Sequence, residues 1–322
     1  MSYKYTLTTP VGIPDYPFRF GYSDKVLCIG SCFATEMADR MQRARLDVMA
    51  NPVGIIYNPL SIAWALEQLL EGYHFGMRDL FFDGELYHSW GHHGAFSGPK
   101  AEDVLRGINQ EIRSGREYLL SAKLLVLTFG TAHYYRLKSS GQVVANCHKQ
   151  PGQLFDRQLM DLEEMYLRYT ELFIRMHQEN PALQIILTVS PVRYIRDGLI
   201  ESFRSKSLLN VLAHRLASMQ EVHYFPAYEI LTDELRDYRF YARDRVHPSE
   251  EASDIIWEYF KGALLSGEAR SLEKRIIKVL NQLNHRPLHP GTPRHRAFLA
   301  KLEEEVAALK KECGIDLGER TP

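Results

Sequence analysis

Lys25-Val26-Leu27-Cys28-Ile29-Gly30-Ser31-Cys32-Phe33-Ala34 is the stretch on which the reading of this chain turns. Its first half is an apolar, β-branched run with the composition of a buried strand. Gly30-Ser31-Cys32 then forms a turn of small residues. A helical pattern follows at once, with Phe33, Met37, Met41 and Ala44 on one face of a helix expected over 32–44. A hydroxyl at such a turn stands at the carboxyl end of a strand and the start of a helix, where open α/β sheets bind ligands. The helix N–H groups favour an anion there. Taken alone, Ser31 reads first as a helix N-cap and only second as a nucleophile.

The second stretch is Arg243-Asp244-Arg245-Val246-His247-Pro248-Ser249. A serine nucleophile needs a base to take its proton and a carboxylate to hold that base in one tautomer. Asp244 and His247, three residues apart with Pro248 behind them, are able to deliver both from one loop. Asp-x-x-His alone is a weak pattern; joined to an early Gly-Ser turn it gains weight.

Those two segments, in this order and at this separation, resemble the SGNH or GDSL-type hydrolase superfamily. The pentapeptide Gly30-Ser31-Cys32-Phe33-Ala34 resembles the GSCFA family, which is related to those hydrolases. Further segments fit it: Asn51-Pro52-Val53-Gly54 with Tyr57-Asn58-Pro59, Phe129-Gly130-Thr131-Ala132, Ser190-Pro191-Val192-Arg193, and Asp244 to Pro248. The resemblance spans roughly 25–265. It implies a sheet order of 2-1-3-4-5 and an oxyanion donor from Gly54, which the residues alone read as a plain turn glycine. Many SGNH relatives carry an Asn donor after the third strand; Ala132 stands there in this chain, and Thr131 or His133 is the substitute considered.

Composition sets the outer bounds. The 322 residues carry a net charge of −1, with 45% hydrophobic and 25% charged residues, as in an ordinary globular protein. Nothing advertises nucleic acid or an anionic membrane surface. No apolar run is long enough to span a bilayer, and Met1–Phe20 lacks the apolar core of a secretory signal. Cys28, Cys32, Cys147 and Cys313 show no framework spacing. Reduced cysteines and a cytoplasmic location are therefore expected.

Along the chain, 1–24 reads as a Pro- and aromatic-rich arm whose Tyr3, Tyr5, Phe18, Phe20 and Tyr22 need apolar partners. Residues 25–265 read as the SGNH-like catalytic domain. A second strand over 46–50 ends at Pro52, and Asn58-Pro59 opens a helix. Phe81-Phe82-Asp83-Gly84-Glu85-Leu86-Tyr87 reads as a hairpin. His88-Ser89-Trp90-Gly91-His92-His93 lacks the usual ligand set of a zinc site and reads as a loop that shapes a cleft or packs on the hairpin. An amphipathic helix follows over 101–116. Leu124–Gly130 is the most uniformly apolar strand, as expected for a central parallel one. Residues 134–148 read as an inserted hairpin returning at His148 and Lys149, with His148 considered as a substrate contact. A helix is expected over 157–179, a strand over 185–190, a helix over 201–219, a short strand over 221–227 and a helix over 249–265 capped by Ser249. Arg193 is able to bind an anion bidentately, with a surface ion pair as the plainer reading. After Ser266-Gly267 two charged helices are expected, over 268–283 and 294–312. The second has a Leu299, Leu302, Val306, Leu309 seam. This 266–322 hairpin lies outside the resemblance and must pack on the domain or pair with a second copy in a homodimer.

The expected fold is α/β: a three-layer α/β/α arrangement around a five-stranded parallel sheet, flavodoxin-like and SGNH hydrolase-like, with a C-terminal helical tail. The expected activity is that of a serine esterase or acyltransferase on an O-acyl ester, an acetylated carbohydrate being one such substrate. The catalytic residues are Ser31, His247 and Asp244; the oxyanion and substrate residues are Gly54, Thr131, His133 and His148. No cofactor and no metal are expected, since no phosphate-binding glycine motif is present. Two alternatives stand beside this one: Cys32 as the nucleophile, and a module that kept the fold but only binds a polar ligand or a protein partner.

Overall fold

The structure is a computed structural model and describes residues 8–285, 288–315 and 317. Tyr3 and Tyr5 of the arm lie outside the described residues. In chain order the elements are β1 (Lys25–Gly30), α1 (Cys32–Arg43), β2 (Asp47–Ala50), α2 (Pro59–Glu71), β3 (Phe81–Phe82), β4 (Tyr87–His88) and α3 (Ala101–Ser121). They continue with β5 (Leu124–Phe129), β6 (His133–Leu137), β7 (Val143–Val144), β8 (Phe155–Leu159), α4 (Leu162–Glu179), β9 (Gln184–Val189) and α5 (Leu199–Leu216). The last are β10 (Val222–Tyr224), the short α6 (Ala227–Glu229), α7 (Glu250–Leu264), α8 (Gly267–Leu283) and α9 (Pro293–Cys313).

Five strands form the central sheet in the order β10-β9-β5-β1-β2, and every neighbouring pair is parallel. Counted along the chain this is the expected 2-1-3-4-5 order. β5 is buried at every position, as a strand covered on both faces must be. Two apolar layers flank the sheet. One joins α2, α3, α4 and α5 around Leu27, Leu66, Leu127, Tyr169 and Leu212. The other joins α1, α7 and the 16–20 segment around Phe33, Met41, Phe225, Trp257 and Phe260. The arm is tied down there: Phe20 is buried and exchanges backbone hydrogen bonds with Leu264 and Ser266, and Tyr22 donates its hydroxyl to Ala44 O.

Local chemistry sets several boundaries. Asn58 accepts from Ser61 N–H and caps α2, with Pro59 in its first turn. Ser249 caps α7 by accepting from Ala252 N–H. Asp161 caps α4, and this corrects the sequence reading. The helix does not begin at Arg157, because Phe155–Leu159 is a strand paired antiparallel with β6. The insertion after β5 is thus a three-stranded sheet, β7-β6-β8, rather than a hairpin. Only Phe155 of β8 is buried, and Asp156, Arg157 and Gln158 are exposed. An edge strand with so little alternation merges with the polar start of the next helix when read from sequence.

The C-terminal helices fold back on the chain. Leu302 and Leu309 of α9 are buried with Ile276 and Val279 of α8, and Tyr22 packs beside them. Arg275 of α8 pairs with both Glu305 and Glu312 of α9. Leu302, Val306 and Leu309 of the seam expected in 294–312 are therefore covered within the chain.

Candidate functional site

β1, β5 and β9 run parallel, so their carboxyl ends open on one edge of the sheet. Ser31 follows β1, Gly130 follows β5 and Ser190 follows β9. Gly30 makes the first turn possible. Its φ is +141°, and a Cβ there would lie 2.2 Å from Thr128 O, so only glycine fits. Ser31 then occupies the N-cap position of α1, yet its side chain makes no cap hydrogen bond. Its Oγ is 1% exposed by residue and has no hydrogen-bond partner at all, His247 included. The Ser31 N–H donates to Thr128 O at 3.1 Å.

The β2 loop supports this turn. Asn51, at φ +47°, accepts from Gly30 N–H at 2.8 Å and donates to Thr35 Oγ1 at 3.0 Å. It locks the serine turn to the first turn of α1. Gly54, at φ +83°, donates its N–H to Asn51 O at 2.7 Å. What approaches Gly54 is His93: a Cβ on the glycine would fall 2.2 Å from His93 Cβ. The His/Trp loop therefore packs over the β2 loop, and His93 N–H donates to Val53 O.

At the end of β5, Gly130 and Thr131 both donate their N–H groups to Tyr57 O. A Cβ on Gly130 would stand 3.2 Å from Ser31 Cβ, so this turn lies against the serine. Thr131 Oγ1 accepts from His133 N–H and pairs with Ser205 Oγ at 3.2 Å. Ser205 Oγ also accepts from Ala132 N–H at 2.7 Å. His133 is buried, its Nε2 3.6 Å from Glu201 and its Nδ1 without a partner, and burial pushes its pKa down.

Asp244 and His247 sit in a tight loop closed by Ala242 N–H to His247 O and Ser249 N–H to Phe240 O, both 2.8 Å. Asp244 Oδ2 lies 2.6 Å from His247 Nδ1, and Oδ1 accepts from the Val246 and His247 N–H groups. These bonds, the imidazole's first, pull the Asp244 carboxyl down to about 2. Both side chains are about half exposed. The loop hangs on the same sheet edge as Ser31, because Arg193 N–H, just past β9, donates to Val246 O at 3.0 Å. Among the described residues Arg193 has no ion pair; its guanidinium lies 3.9 Å over the Tyr241 ring and 5.0 Å over Tyr238, bracing the loop.

One edge thus gathers the Ser31 turn, the Gly130–His133 turn and the Asp244–His247 pair. Gly54 sits on the β2 loop that supports the serine. His148 is engaged by the hairpin: its Nε2 is 2.8 Å from Ser89 O and its ring packs on Phe81 and His88. The other imidazoles there also have structural partners. His88 bridges Asp83 and Ser97, and His92, held far below its ordinary pKa by burial, pairs with Ser89. The Asp83-His88-Ser97 chain lies in the hairpin and its 3-10 turn, away from the carboxyl ends of the parallel strands. Among the described residues no cluster of three or more His, Cys, Asp or Glu has a metal-binding arrangement.

Sequence reasoning missed Asn51, Ser205 and Lys206. Lys206 is 3% exposed and donates to Gly130 O at 2.7 Å and Ser190 O at 2.6 Å. Its signal was present: Ser202, Ser205 and Lys206 extend the buried Leu209, Leu212, Leu216 stripe upstream at helical spacing.

The fold and site define a parallel α/β protein with a buried serine and an Asp-His pair on one sheet edge. The chain belongs to the GSCFA family, whose model matches residues 25–260. A second model, GSCFA domain protein, C-terminal domain, matches residues 276–319, so the helical tail that lay outside the sequence resemblance is part of the family pattern. No curated protein matches the chain. Among solved structures it is similar to an acetyl xylan esterase (Est2A) from the rumen bacterium Butyrivibrio proteoclasticus. That similarity has 12% identity and a TM-score of 0.36, over 75% of this chain. The match spans 64% of that esterase's length.

Proposed function

We propose that the protein is a serine hydrolase or acyltransferase acting on an O-acyl ester through Ser31, His247 and Asp244. The observation that carries this reading is an Asp-His pair at 2.6 Å on the sheet edge where a serine hydroxyl stands with no hydrogen-bond partner. His247 Nε2 takes the proton from Ser31 Oγ, which attacks the acyl carbonyl. Asp244, ionised at all working pH values, fixes His247 with Nδ1 protonated and stabilises the imidazolium. The same imidazolium gives its proton to the leaving alcohol. Water then releases the acid, or a second hydroxyl accepts the acyl group. The oxyanion forms over the positive end of α1. The N–H groups of Ser31 and Gly54 are the proposed donors, each shared with the backbone carbonyl it now serves; one donor contributes about 3 kcal/mol. Ser31 must become more open as substrate enters.

A second reading rests on a specific observation: the serine is nearly inaccessible and both N–H groups already have acceptors. Under it the protein is a catalytically inactive module that binds a polar ligand or a protein partner. One experiment separates the two. Purified wild type, Ser31→Ala and His247→Ala are assayed on p-nitrophenyl acetate, longer acyl esters and acetylated sugars. Turnover by wild type that disappears in Ser31→Ala, with melting temperature unchanged, supports the enzyme. Equal rates in wild type and Ser31→Ala defeat it.

The remaining expectations are proposals as well. A cytoplasmic location rests on four cysteines, Cys28, Cys32, Cys147 and Cys313, that form no disulfide. Among the described residues no helix is long and apolar enough to cross a membrane. A homodimer through the C-terminal helices would use their outer faces, because Leu302 and Leu309 are covered within the chain.

A further inference from the structure

Lys206 is a buried ammonium without a carboxylate. Its hydrogen bonds go to two backbone carbonyls, and among the described residues no acid stands within ion-pair distance of it. Burying a cation this way is costly, and a leucine continuing the α5 stripe would avoid the cost. The two carbonyls are not arbitrary. Gly130 O belongs to the turn that lies against Ser31 Cβ. Ser190 O starts the loop whose Arg193 N–H holds Val246 O, between Asp244 and His247. One side chain therefore ties the serine's half of the edge to the imidazole's half. The ammonium's field also reaches the Cys32 thiol, next to Ser31, and favours its ionised form against the burial that opposes it.

We propose that Lys206 is a positioning residue of the catalytic site. It holds the β5 turn and the β9 loop so that Ser31 and His247 meet. This rests on the ester reading above. A residue that only fills space would be replaceable at no kinetic cost. A residue with this role is needed for the chemical step more than for substrate binding.

The test uses the full chain as wild type, Lys206→Met and Lys206→Gln. Methionine keeps the length without donors, and glutamine keeps a donor without the charge. Circular dichroism and melting curves establish folding. Steady-state rates on p-nitrophenyl acetate give kcat and KM. Labelling of Ser31 by a fluorophosphonate, read by mass spectrometry, gives a rate for attack by the serine alone. The expected result is folded variants whose kcat and labelling rate fall about 10- to 100-fold, with KM within about twofold of wild type. A folded Met or Gln variant with the wild-type kcat and labelling rate overturns the inference and leaves the ester reading standing. Failure of both variants to fold also counts against it, since the lysine would then be needed for stability. A wild type that neither turns over esters nor labels at Ser31 removes the ester reading, and this inference with it.

Discussion

Ser31 stands in a cap position but caps nothing, and its buried hydroxyl contributes no hydrogen bond to the fold. Its removal should therefore leave stability almost unchanged while abolishing activity. Asp244 differs, because its carboxylate holds two backbone N–H groups as well as the imidazole. Asp244→Asn should keep the fold and lower kcat by about 10⁴-fold, as loss of the orienting carboxylate does in serine triads; a loss under tenfold in steady-state assays would deny it that role. These residues were legible because they are chemically distinctive and Asp244 and His247 share one short loop. Asn51 and Lys206 were not. Asn51 acts through its side-chain amide on another loop, which spacing does not reveal. Lys206 lies on a buried face, and a lysine in a helix is read by default as solvated.

At the scale of elements, β1, β5 and β9 were readable because continuous apolar runs ending in small-residue turns mark buried parallel strands. β8 was not, since its pairing with β6 is set by the insertion's geometry rather than by its own pattern. The β2 loop illustrates a dependence between elements. Asn51→Ala removes the bonds to Gly30 N–H and Thr35 Oγ1 and should cost about 2 kcal/mol, measurable by urea denaturation. The same variant should also slow turnover, because the serine turn loses its support; an unchanged midpoint would deny that role. In the tail, Leu309→Ala opens a cavity between α8 and α9 and should cost about 3 kcal/mol of local stability. Hydrogen exchange should then speed up in α9 and leave β5 unaffected.

For the whole molecule, the buried ammonium of Lys206 leaves a signature in the pH dependence of stability. Burial lowers its pKa from 10.5 to about 7. Below that value the folded and unfolded states both hold the proton, so the group adds no pH dependence. Between about 7 and 10.5 the unfolded chain binds more protons, so stability rises with pH across that window. Wild type should gain stability relative to Lys206→Met between pH 7 and 9 in paired melting curves, and parallel curves would show that burial does not lower the pKa of this lysine. The parallel sheet and the shared edge followed from alternating strand and helix signals, and the strand order from the family resemblance. How closely Ser31 is shut in did not, because that depends on Tyr57 and the β5 turn meeting beside it across the fold.

The most direct measurement is fluorophosphonate labelling of the intact wild-type protein at neutral pH, with the modified residue located by tandem mass spectrometry. One adduct, on Ser31, lost in His247→Ala, is the expected result. No adduct on Ser31, or adducts formed equally in His247→Ala, would contradict a serine activated by that imidazole.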